Sequence, residues 1–200
     1  PLPTTYYATG GPIAEALDSV RTARGGLTSI HAIGLGLGTL ACQRKPGETM
    51  TFFEIDPEVI QLARNASLFN FLSACAPDAR IVTGDARLTL ARETETAGVI
   101  IIDAFSSDAI PVHLLTREAL AVYLSKLTSN GALIFHISNN VMDLSQTVAR
   151  VAAEFDLTAF RRVDIVNGGM DANMRSSSIA MAVARDPANL GALANDPSWK

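Results

Sequence analysis

Cysteine, histidine and positive charge are all scarce in these 200 residues. The two cysteines, Cys42 and Cys75, lie far apart and form no CxxC pair. That spacing speaks against a zinc ribbon and against a disulfide-stapled scaffold, and it predicts a reducing compartment. The three histidines, His31, His113 and His136, share no metal-ligand spacing, so no metal is expected. Lysine and arginine number 16 against 20 aspartates and glutamates, a net charge of −4, and the only adjacent basic pairs are Arg44-Lys45 and Arg161-Arg162. Nucleic acid is therefore not an expected partner. No apolar run approaches the roughly 18 residues of a membrane span. No signal peptide, internal repeat or low-complexity segment is visible. The first residue is Pro1 and not Met, which predicts a piece of a longer chain.

What is present suits one globular domain: 48% of residues are hydrophobic and 18% charged. The apolar pattern alternates between strand and helix. Pro12 opens a helix in which Ile13, Ala16, Leu17 and Val20 recur at helical spacing, and Gly25-Gly26 closes it. Strands are predicted at 29–33, 49–55, 80–83, 98–102 and 132–137. Asp56-Pro57-Glu58 reads as a helix start, and 67–77 fits helix or loop equally. Residues 104–115 read as a loop, followed by a helix from Thr116 to Leu127. Asn130-Gly131 reads as a turn into the fifth strand, and 141–155 as a helix. Residues 160–166 and 178–184 read as an antiparallel pair. Five β/α units and a hairpin predict a doubly wound, Rossmann-like α/β fold, its sheet mainly parallel.

The candidate site lies where these strands end. Gly34-Leu35-Gly36-Leu37-Gly38 follows the first strand and brings backbone amides to the sheet's carboxyl edge. Glu54, about 20 positions on, ends the second strand with Ile55 beside it; a carboxylate there takes both hydroxyls of a ribose. The GxGxG spacing favours an adenosyl sulfonium over a nicotinamide dinucleotide. After the third strand, Asp85 is placed to accept from an adenine amino group, and Ala86 leaves room for the ring. Asp85 is equally a good helix N-cap, and both roles can hold at once. Asp103 ends the fourth strand. Tyr6 and Tyr7 either line the pocket or face an upstream segment. His113 and His136 fit packed, hydrogen-bonded histidines, although His136-Ile137-Ser138-Asn139 ends the fifth strand on the ligand edge, where it shapes the pocket.

The runs Ile33-Gly34-Leu35-Gly36-Leu37-Gly38, Phe53-Glu54-Ile55-Asp56, Gly84-Asp85-Ala86 and Ile101-Ile102-Asp103 together resemble the spermidine synthase (polyamine aminopropyltransferase) family. The longer run from Asp103 to Thr116, with Ser106, Ser107, Asp108, Ala109, Ile110 and Pro111 inside it, is most similar to a bacterial branch often fused to a membrane portion. The similarity covers residues 6–139. It implies a class I S-adenosylmethionine-dependent transferase fold, with 1–28 an N-terminal segment and helix left from a longer chain and 29–200 the binding domain. It implies S-adenosylmethionine or its decarboxylated form as substrate and no metal. Gly34, Gly36, Leu37, Gly38, Glu54, Ile55, Asp85, Ala86 and Asp103 would hold that ligand. Asp103 would be the catalytic carboxylate with Asp108 assisting, and Tyr6, Tyr7, Ser106 and His136 would line the substrate pocket. The expected partners are a small amine such as a polyamine, a membrane portion in the full-length protein, and a second copy of the chain. The expected setting is cytoplasmic, tethered to the inner membrane.

Two departures from the family pattern carry meaning. Leu37 stands where relatives carry an acid that holds the aminopropyl amine, so intact S-adenosylmethionine becomes an acceptable ligand. The Asp103–Asp108 spacing is also two residues longer than usual. The leading reaction is cleavage of the sulfur–aminoalkyl bond, releasing methylthioadenosine, with transfer of the chain to an amine. A lyase is one alternative: the intact ligand's own carboxylate attacks its γ-carbon and no acceptor is needed. A methyltransferase and a non-catalytic ligand sensor are the others.

Overall fold

The computed structural model describes residues 1–105, 110–138, 143–168 and 174–200. Seven strands form one sheet in the order β3-β2-β1-β4-β5-β7-β6. They are β1 (Ser29–Ile33), β2 (Thr49–Glu54), β3 (Arg80–Thr83), β4 (Ala97–Ile102), β5 (Leu127–His136), β6 (Thr158–Asp164) and β7 (Ser178–Ala184). The first five run parallel; β7 lies antiparallel between β5 and β6. The strand order reverses between β1 and β4, and a crevice opens at the carboxyl ends of such a sheet.

Two apolar layers cover the sheet. On one face α1 (Pro12–Arg24) buries Ile13, Ala16, Leu17 and Val20, the four residues its periodicity singles out. Pro12 starts it, and the amides of Gly25 and Gly26 return to the carbonyls of Thr22 and Arg21 to close it. The other helices are α2 (Pro57–Arg64), α3 (Phe71–Cys75), α4 (Ala86–Ala91), α5 (Arg117–Ser125) and α6 (Ser145–Ala153). Every residue of β4 is buried, as a central parallel strand covered on both faces requires. Among the described residues no helix is long and apolar enough to cross a membrane.

Several expectations need correcting. α5 ends at Ser125, and Leu127 already pairs with Ala97 as the first residue of β5. Asn130-Gly131 is not a turn before that strand but an irregularity inside it, where the register jumps to Val99 opposite Ala132. The Arg24 guanidinium donates to Asn130, and a Cβ on Gly131 would meet the Gly98 carbonyl oxygen at 2.8 Å. α6 begins at Ser145, whose amide donates to the Asp143 carboxylate at 2.9 Å; Val141 and Met142 lie outside the described residues. β6 sits two residues earlier than expected, in register with β7. A 3-10 stretch at Pro187–Asn195 was not foreseen; beyond it the buried Trp199 indole donates to Glu15 of α1.

The largest correction concerns the cysteines. Cys42, in a 3-10 helix at Thr39–Gln43, and Cys75, at the end of α3, form a disulfide with Cα atoms 4.8 Å apart. Their distance in sequence concealed the packing of these two short helices. Leu72 of α3 fills the space where Gly38 has no Cβ, and Arg44 pairs with Asp78 at 2.5 Å alongside. With the thiols paired, the argument for a reducing compartment lapses.

Candidate functional site

The hydrogen-bond ladder continues one residue past the strand ends, and this sets the site in register. The Gly34 amide donates to the Phe53 carbonyl at 2.9 Å, the Asp103 amide to Ile33 at 2.8 Å and the Gly84 amide to Glu54 at 2.9 Å. Glu54, Asp85 and Asp103 are thereby carried to one edge by β2, β3 and β4. Gly34 has a φ of +98°, and a Cβ there would run into the backbone carbonyl of Asp103, so only glycine fits. A cavity of about 650 Å³ opens on this edge, a volume in the range of small-molecule sites.

The nucleotide-side carboxylates are held by local backbone. Glu54 is buried at the end of β2; its Oε2 accepts from the Leu35 amide at 2.9 Å and its Oε1 from the Asp56 amide at 3.0 Å. The carboxylate therefore ties the glycine turn to the start of α2 while its flank faces the cavity. Asp56 caps α2 by accepting from the Glu58 amide at 2.8 Å. Asp85 caps α4 through Oδ1, which accepts from the Arg87 amide at 2.9 Å and more weakly from Leu88. Its Oδ2 faces His113 Nε2 at 3.8 Å. The cap role of Asp85 thus holds, and one oxygen remains turned to the cavity.

The opposite end is built from side chains that are remote in sequence. The Asp103 side chain is 5% exposed; its Oδ2 accepts from the Tyr7 hydroxyl at 2.5 Å and its Oδ1 lies 2.7 Å from His136 Nδ1. Burial, and then the neighbouring Asp103 carboxylate, push the Tyr7 hydroxyl well above the usual phenol range, so it stays protonated and donates. His136 Nε2 lies 2.8 Å from the Ser138 hydroxyl, which accepts from the Ile179 amide at 2.8 Å. The rings of Tyr6 and Phe105 each pack 4.8 Å from the His136 ring. Gln43 donates to the Tyr7 carbonyl, and Thr5 bridges to Arg175, so the N-terminal segment that carries both tyrosines is strapped at two points.

The cavity brings together Gly34, Gly36, Glu54, Ile55, Asp85, Ala86, Asp103, Tyr6, Tyr7 and His136 of the expected set. Leu37 and Gly38 do not line it. Leu37 is 38% exposed, and Gly38 turns away to meet Leu72, because the chain leaves the turn in a 3-10 helix. Ser106 and Asp108 lie outside the described residues, as do Ser107, Ala109 and Asn139. Sequence reasoning missed Ser177, Phe105 and His113 as cavity residues. Ser138, inside the run expected to shape the pocket, does line the cavity beside His136. Among the described residues no three of His, Cys, Asp and Glu cluster as metal ligands.

No family model matches the chain. It is 34% identical over 135 residues to a polyamine aminopropyltransferase of Vibrio vulnificus (strain CMCP6), a match covering 63% of this chain and 44% of that one. The chain thus spans less than half the length of that relative. A probable spermidine synthase from Corynebacterium glutamicum superposes with a TM-score of 0.64 at 20% identity, over 87% of this chain and 64% of the other. Human methyltransferase-like protein 13, solved with SAH, gives 0.63 at 18% identity, over 88% and 80%. The fold is that of the class I S-adenosylmethionine-dependent transferases, with the antiparallel β6–β7 hairpin at the end of the sheet.

Proposed function

We propose that this chain binds an adenosyl sulfonium in the cavity and breaks its sulfur–aminoalkyl bond, passing the chain to a small amine and releasing methylthioadenosine. The observation that carries the reading is the placement of Asp103: a buried carboxylate at the end of β4, on the same cavity as Glu54 and Asp85. The sequence likeness to a polyamine aminopropyltransferase supports it.

The residues fit such a ligand. Glu54 offers its flank to two ribose hydroxyls, and the open oxygen of Asp85 offers an acceptor to an adenine amino group. Gly34, without a Cβ, lets the Asp103 backbone close up beside it, and both line the cavity where the sulfonium side would lie. The sulfonium supplies a neutral thioether leaving group, so no acid is needed. A negative carboxylate beside an aromatic wall draws a polycation into the site, and a base there must take the proton so that the amine attacks unprotonated.

A second reading, cleavage without an acceptor, is favoured by one observation: both oxygens of Asp103 are already engaged, by Tyr7 and His136. The two are separated by incubating the protein with intact or decarboxylated S-adenosylmethionine, with and without putrescine, and reading products by mass spectrometry. Methylthioadenosine with an amine adduct is the expected result. Methylthioadenosine alone from the intact ligand indicates the lyase. S-adenosylhomocysteine would overturn both readings in favour of methyl transfer.

A further inference from the structure

The hydrogen-bonded chain at Asp103 has a direction. A carboxylate accepts only, so the protons on its two contacts come from the Tyr7 hydroxyl and from Nδ1 of His136. In the neutral imidazole this leaves the lone pair on Nε2. The Ser138 oxygen already accepts from the Ile179 amide, so its own proton turns to Nε2 at 2.8 Å. Asp103, His136 and Ser138 thus repeat the order in which a carboxylate fixes a histidine tautomer and the histidine draws on a serine hydroxyl. The outer member is the accessible one: the Asp103 side chain is 5% and the His136 side chain 2% exposed, whereas Ser138 is half-buried and lines the cavity. A base that used Asp103 directly would have to work through the second lone pair of an oxygen already engaged by Tyr7 or His136.

Resting on the aminoalkyl-transfer reading, we propose that the proton leaving the acceptor amine is taken by His136 through the Ser138 hydroxyl, with Asp103 as the residue that positions the imidazole and balances its charge. An ammonium proton passes to the Ser138 oxygen as that hydroxyl's own proton moves to Nε2. The freed nitrogen lone pair forms the carbon–nitrogen bond, and the carbon–sulfur bond breaks with its electron pair left on sulfur. The imidazolium so formed lies 2.7 Å from the Asp103 carboxylate, with the rings of Tyr6 and Phe105 each 4.8 Å away. Among the described residues the titratable groups facing it are Asp103 from β4 and Tyr6 and Tyr7 from the N-terminal segment; β7 presents the uncharged Ile179 and Ala180.

The test compares His136→Gln, Ser138→Ala and the unaltered protein in adduct formation from decarboxylated S-adenosylmethionine and putrescine, between pH 5 and 9. Glutamine can still donate to Asp103 and accept from Ser138 but cannot take up a proton, so it separates proton acceptance from positioning. We expect both variants to lose about 100-fold or more in kcat/KM, and to lose any rise of activity with pH found in the unaltered protein. Nitrogen NMR of the imidazole gives an independent readout: the neutral ring should carry its proton on Nδ1 and its lone pair on Nε2, and the Nε2 chemical shift should move in Ser138→Ala. A His136→Gln protein that keeps kcat/KM within threefold and the same pH profile overturns this inference and leaves the transfer reading standing. If the unaltered protein forms no adduct, the transfer reading falls and this inference falls with it.

Discussion

The two ends of the cavity are built on different principles. At the nucleotide end, Glu54 and Asp85 are each held by backbone amides of the turn that follows their own strand or its neighbour, at Leu35, Asp56 and Arg87. At the reaction end, Asp103 is held by Tyr7, 96 positions away, and by His136, 33 positions away. The first end is preorganised by strand–turn–helix geometry and exists as soon as β1 to β3 pair. The second requires the N-terminal segment, β4, β5 and β7 to meet, and its carboxylate exchanges water for side chains that must all be in place.

That contrast predicts separable failures, the largest at the reaction end. Asp103→Asn should cut the rate of methylthioadenosine release by about 100- to 10,000-fold while calorimetry finds ligand affinity little changed. An equal loss in both would merge the two ends into one. Opening the other end comes next. Replacing Cys42 and Cys75 by serine should lower stability by about 4 kcal/mol, since the bridge joins residues 33 positions apart. Urea unfolding measures this, and a midpoint unchanged from the parent protein would show that the bridge fastens nothing.

Glu54→Gln should weaken adenosyl-ligand binding by about 30-fold, the worth of roughly one charge-assisted hydrogen-bond pair. The turnover of bound ligand should stay closer to normal, which reverses the Asp103 pattern. The smallest effect lies beneath both ends. His31 is buried in β1 against Phe53, its Nδ1 without a partner among the described residues, and burial lowers its pKa to about 4. The folded-state value is below the unfolded one, so the stability it protects is complete above about pH 6.5 and is lost as pH falls toward 4. By pH 5.5 the loss should be about 1.4 kcal/mol. His31→Phe should flatten that part of the stability profile, and an unchanged slope would assign it to another group.

The same contrast explains what could be read from the residues in order. Gly34, Glu54 and Asp85 announce themselves because each obeys a local rule: a glycine where no Cβ fits, a carboxylate closing a strand, a cap opening a helix. Strand order and the terminal hairpin follow from the β/α alternation. The Tyr7–Asp103–His136–Ser138 chain obeys no local rule, since its members come from three parts of the chain that only the finished sheet brings together. The disulfide was missed for the same reason: neither Cys42 nor Cys75 carries a sign of the other until α3 packs on the 3-10 helix. Leu37 misled in the opposite sense, because family position suggested a pocket residue and the 3-10 turn carries it outside.

A structure of the protein with methylthioadenosine bound tests the central claim most directly. The account predicts the ribose hydroxyls on Glu54, the adenine amino group on Asp85 and the thioether sulfur directed toward Asp103. A nucleoside lying outside this cavity, or reversed in it with adenine toward Asp103, would contradict it.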